Sequence, residues 1–164
     1  MSHQIIDNFL PEKKLKLIKN VIMGSEFNWF YQPAVAYDYQ KDSGILFYFT
    51  HLFYEKNIPI SPFYNFINEN LISHLKCKSL IRVKANLYPN QNEKKTNGIH
   101  IDYDFPHKGA IFYINTNNGK TILDKKIEID SVENRLLLFD SHLPHDSQNC
   151  VDQKVRVNIN INYF

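Results

Sequence analysis

The chain has 164 residues, 43% of them hydrophobic and 14% aromatic, with a formal net charge of +2. That length fits a single domain spanning residues 1–164 with a sizeable core, and the charge is too mild to argue for nucleic acid. No apolar run is long enough to cross a bilayer, and the opening MSHQIIDNFLPEKK lacks the charged-then-apolar order of a signal peptide.

Residues 11–23 predict a helix: Pro11 suits the first turn, Leu15, Ile18 and Ile22 form an i, i+3, i+7 stripe, and Gly24 stops it. Residues 27–54 are dense in aromatics, among them Trp29, Phe30, Tyr31, Tyr37, Tyr39, Tyr48 and Phe53. Two readings stand for this stretch. It fills the core and an edge strand, or its portion from Trp29 to Tyr39 overhangs the mouth of a site. A second helix is predicted over 61–76, with Ser61 as N-cap, Pro62 as first helical residue, and Phe63, Phe66, Ile67, Leu71 and Leu75 as its buried face. Both helices are expected to brace the outside of a sheet.

Beyond residue 78 the pattern turns to strands. Residues 79–88 read as a strand ending in Tyr-Pro, Gly109–Asn115 as a second, Asn118–Thr121 as a turn, and Asn134–Phe139 as a third. The closing Val155–Phe164 alternates strictly, with Val155, Val157, Ile159 and Ile161 on one face and Arg156, Asn158, Asn160 and Asn162 on the other. Cys77 and Cys150 fall in no Cys-x-x-Cys pattern, so free thiols in a reducing, cytoplasmic setting are expected. The lysine pairs Lys13-Lys14, Lys94-Lys95 and Lys125-Lys126 belong on solvated faces.

Between the first two of those strands lies His100-Ile101-Asp102. If residues 99–103 are extended, His100 and Asp102 share a face and can grip one ion from one side. A later histidine completes a two-His, one-carboxylate set with open positions, the arrangement of non-haem Fe(II) oxygenases. His145, at the end of the third strand, is the favoured third ligand; His142 and His107 are its rivals. An iron of this kind takes a co-substrate carrying a free carboxylate, and Arg156 offers a planar, permanently charged fork to hold it. Arg135 is the alternative fork. Arg82, four to six residues from Asn86 and Tyr88, is expected to lie away from the mouth.

The order of these segments resembles the double-stranded β-helix of the 2-oxoglutarate/Fe(II)-dependent dioxygenases, in particular the prolyl-hydroxylase-like branch. The resemblance is carried by Tyr113-Ile114-Asn115, by Asn118-Gly119-Lys120-Thr121 where Gly-Gly-x-Thr is usual, by Phe139-x-Ser141-x-x-x-His145, by Arg156 following His145, and by the ending RVNININYF. It covers residues 79–164. A looser likeness of Phe27–Tyr31 and Phe49-Thr50-His51 to small phage and marine-bacterial members extends it upstream, and a phage-encoded protein would act in its host's cytoplasm. The implied fold is mainly β with flanking helices around a jelly-roll, cupin-like core, with 1–78 as a helical and aromatic-rich support and 79–164 as the catalytic part.

The resemblance further implies Fe(II) on His100, Asp102 and His145, and 2-oxoglutarate held through its far carboxylate by Arg156 and Tyr113. Tyr88 would face the iron-side end of the co-substrate, and Asn86, in Asn-x-Tyr, matches nucleic-acid-demethylating relatives. O2 is the oxidant, with ascorbate as an auxiliary reductant. The implied reaction couples decarboxylation of 2-oxoglutarate to succinate and CO2 with hydroxylation of a peptide, protein or amino acid. Two other classes are weighed against it: a nucleobase demethylase, which wants a basic rim, and a non-catalytic binding or structural module. Nothing in the sequence names the substrate or the oligomeric state.

Overall fold

The computed structural model describes residues 3–33 and 47–164. Its elements in chain order are β1 (His3–Ile6), α1 (Glu12–Ile22), β2 (Phe30–Gln32), β3 (Tyr48–Glu55), β4 (Ile58–Pro59), α2 (Tyr64–Asn70), β5 (Leu80–Pro89), β6 (Lys108–Tyr113), β7 (Asn117–Leu123), β8 (Ile127–Ser131), β9 (Leu136–Asp140), β10 (His145–Ser147) and β11 (Val155–Tyr163). A 3-10 turn, Ile72–His74, follows α2. The fold is mainly β with flanking helices and a jelly-roll core. One sheet runs β1-β9-β6-β11-β5-β3-β2, with β4 hairpinned onto β3, and the other runs β10-β7-β8. Every pairing is antiparallel.

β11 organises the larger sheet, because it is hydrogen-bonded to β5 on one side and β6 on the other. A strand paired on both sides sends alternate side chains to opposite faces. Val157, Ile159 and Ile161 go to the helix side, where they join Ile18 and Ile22 of α1, Ile67 of α2, Phe53, Val83 and Phe112 in the main apolar core. Arg156, Asn158, Asn160 and Asn162 go to the other face and are also buried. A smaller core of Ile111, Tyr113, Leu123, Ile129, Leu137 and Phe139 packs the two sheets together beside that polar row.

Helix α1 forms as its stripe predicts: Leu15, Ile18 and Ile22 are buried, Glu12 sits in the first turn and Lys19 in the last, matching the helix dipole. The second helix is shorter than predicted. Phe63, not Ser61, is its N-cap, and it ends at Asn70. Ser61 is drawn elsewhere: its Oγ accepts the Phe63 amide at 3.0 Å and meets His51 Nε2 at 2.7 Å, while His51 Nδ1 donates to the Asn28 carbonyl at 2.6 Å. Burial keeps His51 neutral, its pKa lowered despite that carbonyl contact. The chain before residue 79 is more than support, since β1, β2 and β3 are members of the large sheet. In the aromatic stretch Phe27 and Phe53 are core, whereas Phe30 and Tyr31 are exposed; Tyr37 and Tyr39 lie outside the described residues.

Asn118–Thr121 is not a turn but part of β7, which carries a bulge between Asn117 and Lys120. Its turn-forming residues are captured by neighbours. The Asn118 amide donates to Asp152, its Oδ1 accepts the Val151 amide, and the Lys120 carbonyl accepts Gln148 N–H at 2.8 Å. The turn falls later, in the three residues between β7 and β8, where Asp124 and Lys125 take φ values of 50° and 57° and the Lys126 amide donates to the Leu123 carbonyl at 3.1 Å.

Asn134 fastens the N-terminal segment to this frame. With φ of 63°, it donates to the Leu10 carbonyl at 2.8 Å and accepts the Leu10 amide at 2.9 Å, both buried. Asn134→Ala is expected to lower the unfolding free energy by about 2–4 kcal/mol, because both Leu10 groups lose their partners and alanine is strained at positive φ. Urea denaturation measures this; a midpoint shift worth less than about 1 kcal/mol would show that solvent reaches Leu10 readily.

Candidate functional site

His100, Asp102 and His145 are brought together: one ligand atom from each lies within 4.8 Å of the other two. The geometry that achieves this is not a regular strand through 99–103. His100 makes an isolated antiparallel bridge with His145, each amide donating to the other's carbonyl at 2.9 Å. Both rings are then pinned the same way. His100 Nδ1 donates to the Gly98 carbonyl at 3.1 Å and His145 Nδ1 to the Leu143 carbonyl at 2.9 Å. With the proton on Nδ1, each Nε2 keeps a free lone pair for a metal. Gly98, at φ of 97°, supplies a backbone shape that a side chain would strain.

Asp102 is nearly buried and held from several sides. Arg82 Nη2 donates to Oδ1 at 2.6 Å; on Oδ2, Ser141 Oγ donates at 2.7 Å and Asn162 Nδ2 at 2.8 Å. Burial alone would raise its pKa, but the Arg82 charge, His145 and these hydrogen bonds outweigh burial and hold the carboxyl far below the usual range. Burial and the neighbouring His100 lower the pKa of His145, against the pull of Asp102, so its imidazole stays neutral.

Neither rival histidine joins the set. His107 donates from Nδ1 to the Phe105 carbonyl, and its Nε2 meets Asn162 at 3.2 Å. His142 has a buried Nδ1 with no partner and lies 6.4 Å from His107, ring to ring. Arg82, expected away from the mouth, is in it. The ligand set sits at the level of Asn160 and Asn162, and β5 places Arg82 opposite Asn162 and Lys84 opposite Asn160.

Arg156 is fully buried. Its Nε donates to Ser131 Oγ at 2.9 Å and its Nη2 to Thr121 Oγ1 at 3.0 Å, while Nη1 has no partner. No carboxylate among the described residues pairs with it. Tyr113 donates to the same Thr121 oxygen at 2.7 Å, which leaves the threonine's own proton free for another acceptor. The guanidinium lies 5.1 Å from the Tyr88 ring centre and 5.9 Å from that of Tyr113. Tyr88 thus stands at the Arg156 end of the site, stacked on Tyr48 at 5.4 Å. Asn86 donates to Asn158 at 3.0 Å along the same wall. Gly119 makes room for this charge, because a Cβ there would fall 2.6 Å from Arg156 Cδ. Arg135 is a surface residue paired with Asp7 at 2.6 Å. The contacts of Thr121, Ser141 and Asn162, which the sequence motifs contain, and of Ser131, which they do not, are not legible in the sequence, because polar side chains at strand positions carry no signal of which group they will meet.

His100, His145 and Arg156 border one small cavity of about 30 Å³, roughly a single water's share of liquid volume. At Asn86, Tyr88, His100 and Asn160 it meets an open cleft of about 1010 Å³ that also reaches Asp102, Arg82 and Lys84. Phe30, Ile60, Ile99 and Ile101 border that cleft and remain exposed. Two imidazole nitrogens and a carboxylate with an open side fit a divalent iron. An unpaired buried guanidinium beside them fits the carboxylate of a second ligand. A five-carbon dicarboxylate would spread from the small cavity into the cleft or shift its lining.

In metal-free protein, Asp102→Asn is expected to lower stability at pH 7 by about 2–4 kcal/mol, because Arg82 is left buried without its partner. The folded pKa of Asp102 lies below the unfolded value of about 3.9. Its contribution is therefore complete above that value and disappears as pH falls through the folded pKa. Denaturation curves of both proteins should differ equally at pH 7 and pH 5 and converge only in stronger acid. Equal stabilities at pH 7 would dismiss the Arg82 pair as a stabilising contact.

No family model matches the chain, and no curated protein matches it. Solved structures do. A prolyl hydroxylase from Trichoplax adhaerens, in complex with a hypoxia inducible factor oxygen degradation domain peptide fragment, is 18% identical, with 99% of this chain and 83% of that one covered at a TM-score of 0.65. A Pseudomonas putida prolyl-4-hydroxylase is 15% identical over 98% of this chain and 91% of its own, with a TM-score of 0.59. An oxidoreductase of the 2OG-Fe(II) oxygenase family from Burkholderia pseudomallei is 8% identical over 98% and 84%, with a TM-score of 0.69. The chain has the fold of the 2OG-Fe(II) oxygenases, prolyl hydroxylases among them.

Proposed function

We propose that the protein is a 2-oxoglutarate- and Fe(II)-dependent oxygenase, with His100, Asp102 and His145 as metal ligands and Arg156 as the anchor of the co-substrate. The observation that carries this reading is the buried, counterion-free guanidinium of Arg156, which shares a cavity with the unprotonated faces of two histidines. A buried charge without a partner costs several kcal/mol. Here an anionic ligand recovers that cost. A purely structural module has no use for it.

When bound, Fe(II) supplies the centre at which O2 is consumed and 2-oxoglutarate is decarboxylated to succinate and CO2. The chain's own part is positional. Arg156 Nη1 and the free Thr121 hydroxyl proton receive the far carboxylate, and Tyr113 holds Thr121 in place. Tyr88 and Asn86 wall the path toward His100. Arg82 and Asn162 fix the orientation of Asp102, and the face between the two sheets keeps bulk water out.

The substrate we favour is a peptide, protein or amino acid, hydroxylated at carbon. The open cleft with its apolar rim supports this, as does the likeness to a structure that holds a peptide. A nucleobase demethylase is the second reading, favoured by the exposed rings of Phe30 and Tyr31. Binding to single-stranded nucleic acid would show a steep salt dependence. No helix among the described residues is long and apolar enough to cross a membrane.

Purified protein is expected to bind Co(II) in place of Fe(II), and to form succinate only with Fe(II), 2-oxoglutarate and O2 present, ascorbate serving as reductant. Alanine at His100, Asp102 or His145 should abolish metal binding, whereas His142→Ala should retain it; a wild-type Co(II) spectrum in His145→Ala would refute the ligand set. Affinity should fall as pH drops, because protons compete for the imidazole nitrogens, and the lowered pKa of His145 postpones its part of that loss to more acidic pH.

Arg156→Ala should weaken 2-oxoglutarate binding by about 2–4 kcal/mol, and Arg156→Lys should restore it only in part, since an ammonium cannot present two parallel donors. Unchanged 2-oxoglutarate affinity in Arg156→Ala would move the anchor elsewhere.

A further inference from the structure

Three cations lie along one side of the site, and two of them are accounted for. Arg156 faces the small cavity, and Arg82 is spent on Asp102. The third is Lys84, on β5 opposite Asn160, with its side chain lining the large cleft. Among the described residues no carboxylate lies within ion-pair distance of it and no hydrogen-bond acceptor engages it; its ammonium only approaches the Tyr48 ring, at 5.8 Å from the centre. Lys84 keeps only partial solvent contact. Burial pushes its pKa down to about 8, Arg82 adds repulsion, and Asp102 and Glu55 offset this only in part. It is nevertheless mostly charged at neutral pH. Lysine is rarely withdrawn from water without a partner, and of its strand neighbours on that face Arg82 repels it and Asn86 is uncharged, while Asp102 and Glu55 attract it only from beyond ion-pair distance.

We infer that Lys84 is a specificity residue that pairs with a carboxylate carried by the primary substrate, beside the point of oxidation. This rests on the oxygenase reading and names a chemical class for its substrate. The register supports the placement. Asn160 stands across from Lys84 and donates to Asp102 at 3.3 Å, so Lys84 flanks the metal set rather than the outer rim. The carboxylate has two chemical sources, an acidic side chain in a peptide or the α-carboxylate of a free amino acid. Glu55, also in the cleft wall and without an ion-pair partner among the described residues, would welcome the ammonium of the latter.

The test uses full-length protein saturated with Zn(II) and 2-oxoglutarate, which binds without turnover. Two probe sets are titrated by calorimetry or ligand-observed NMR: acetylated, amidated pentapeptides with a central proline flanked by Glu, Gln or Lys, and the free L-amino acids beside their carboxamides. The expected result is a preference of about tenfold or more for the acid over its amide in one set, as a charge-assisted hydrogen bond gives; the set that shows it identifies the source. That preference should collapse to about onefold in Lys84→Met, reverse toward lysine-flanked peptides in Lys84→Glu, and survive in Lys84→Arg, with circular dichroism checking the fold of each. No acid preference in either set overturns the inference, as does a preference that persists in Lys84→Met. A loss of 2-oxoglutarate affinity in Lys84→Met equal to that in Arg156→Ala would make Lys84 a co-substrate anchor and would also overturn it. Zn(II) and 2-oxoglutarate binding are read in the same titrations, so their absence would instead sink the oxygenase reading.

Discussion

A central strand with both faces covered has no free edge and no free face. Everything distinctive here follows from β11 obeying that constraint while carrying a polar residue at every second position. Its apolar set is absorbed by the helices. Its polar set is driven into the space between two sheets, where each amide and the guanidinium must find partners or hold out for a ligand. Asn162 and Asn160 find Asp102, Asn158 finds Asn86, and Arg156 finds two hydroxyls but no charge.

The two buried charges at the ends of this row are handled in opposite ways. Asp102 is over-supplied: a guanidinium, a hydroxyl and amide donors converge on it before any metal does. That arrangement orients the carboxylate without ligand and limits the rearrangement that binding demands. Arg156 is under-supplied, with one nitrogen still unpartnered. Under the proposed reading such a site would be preorganised for its cation and unfinished for its anion. Affinity for the anion then draws on an electrostatic debt already present in the free protein.

Much of this was legible in the sequence, and for a definite reason. Period-two alternation in RVNININYF states which residues share a face, and a His-x-Asp followed by strands and a distant histidine suggests a ligand set, so β11, the three clustered side chains and the position of Arg156 on the inner face are all legible. What failed was local signal overruled from a distance. Asn118-Gly119 looks like a turn, but the segment after β10 captures its polar groups and Arg156 needs the glycine's bare Cα. Ser61 looks like a helix cap, but His51 claims it from ten residues away. Arg82 looks remote, by sequence distance, from a mouth lined by Asn86 and Tyr88. Only the register of β5 against β11 shows that the same cleft runs on from Tyr88 to Arg82, where Asn162 meets Asp102.

The position of β11 also bears on how the fold is reached. It follows both of its neighbours in sequence, β5 by more than sixty residues. During vectorial synthesis β5 and β6 therefore emerge and wait with unsatisfied edges, and the central seam of the large sheet cannot close until β11 has been made. Such non-local pairing is slow and leaves apolar strand edges open to wrong partners. The alternating asparagines of β11 do not temper that hazard: asparagine ladders stabilise a cross-β stack, and residues 157–164 are uncharged, β-prone and free of proline and glycine. The residues that furnish the interior of the site are thereby a liability until β5 and β6 enclose them.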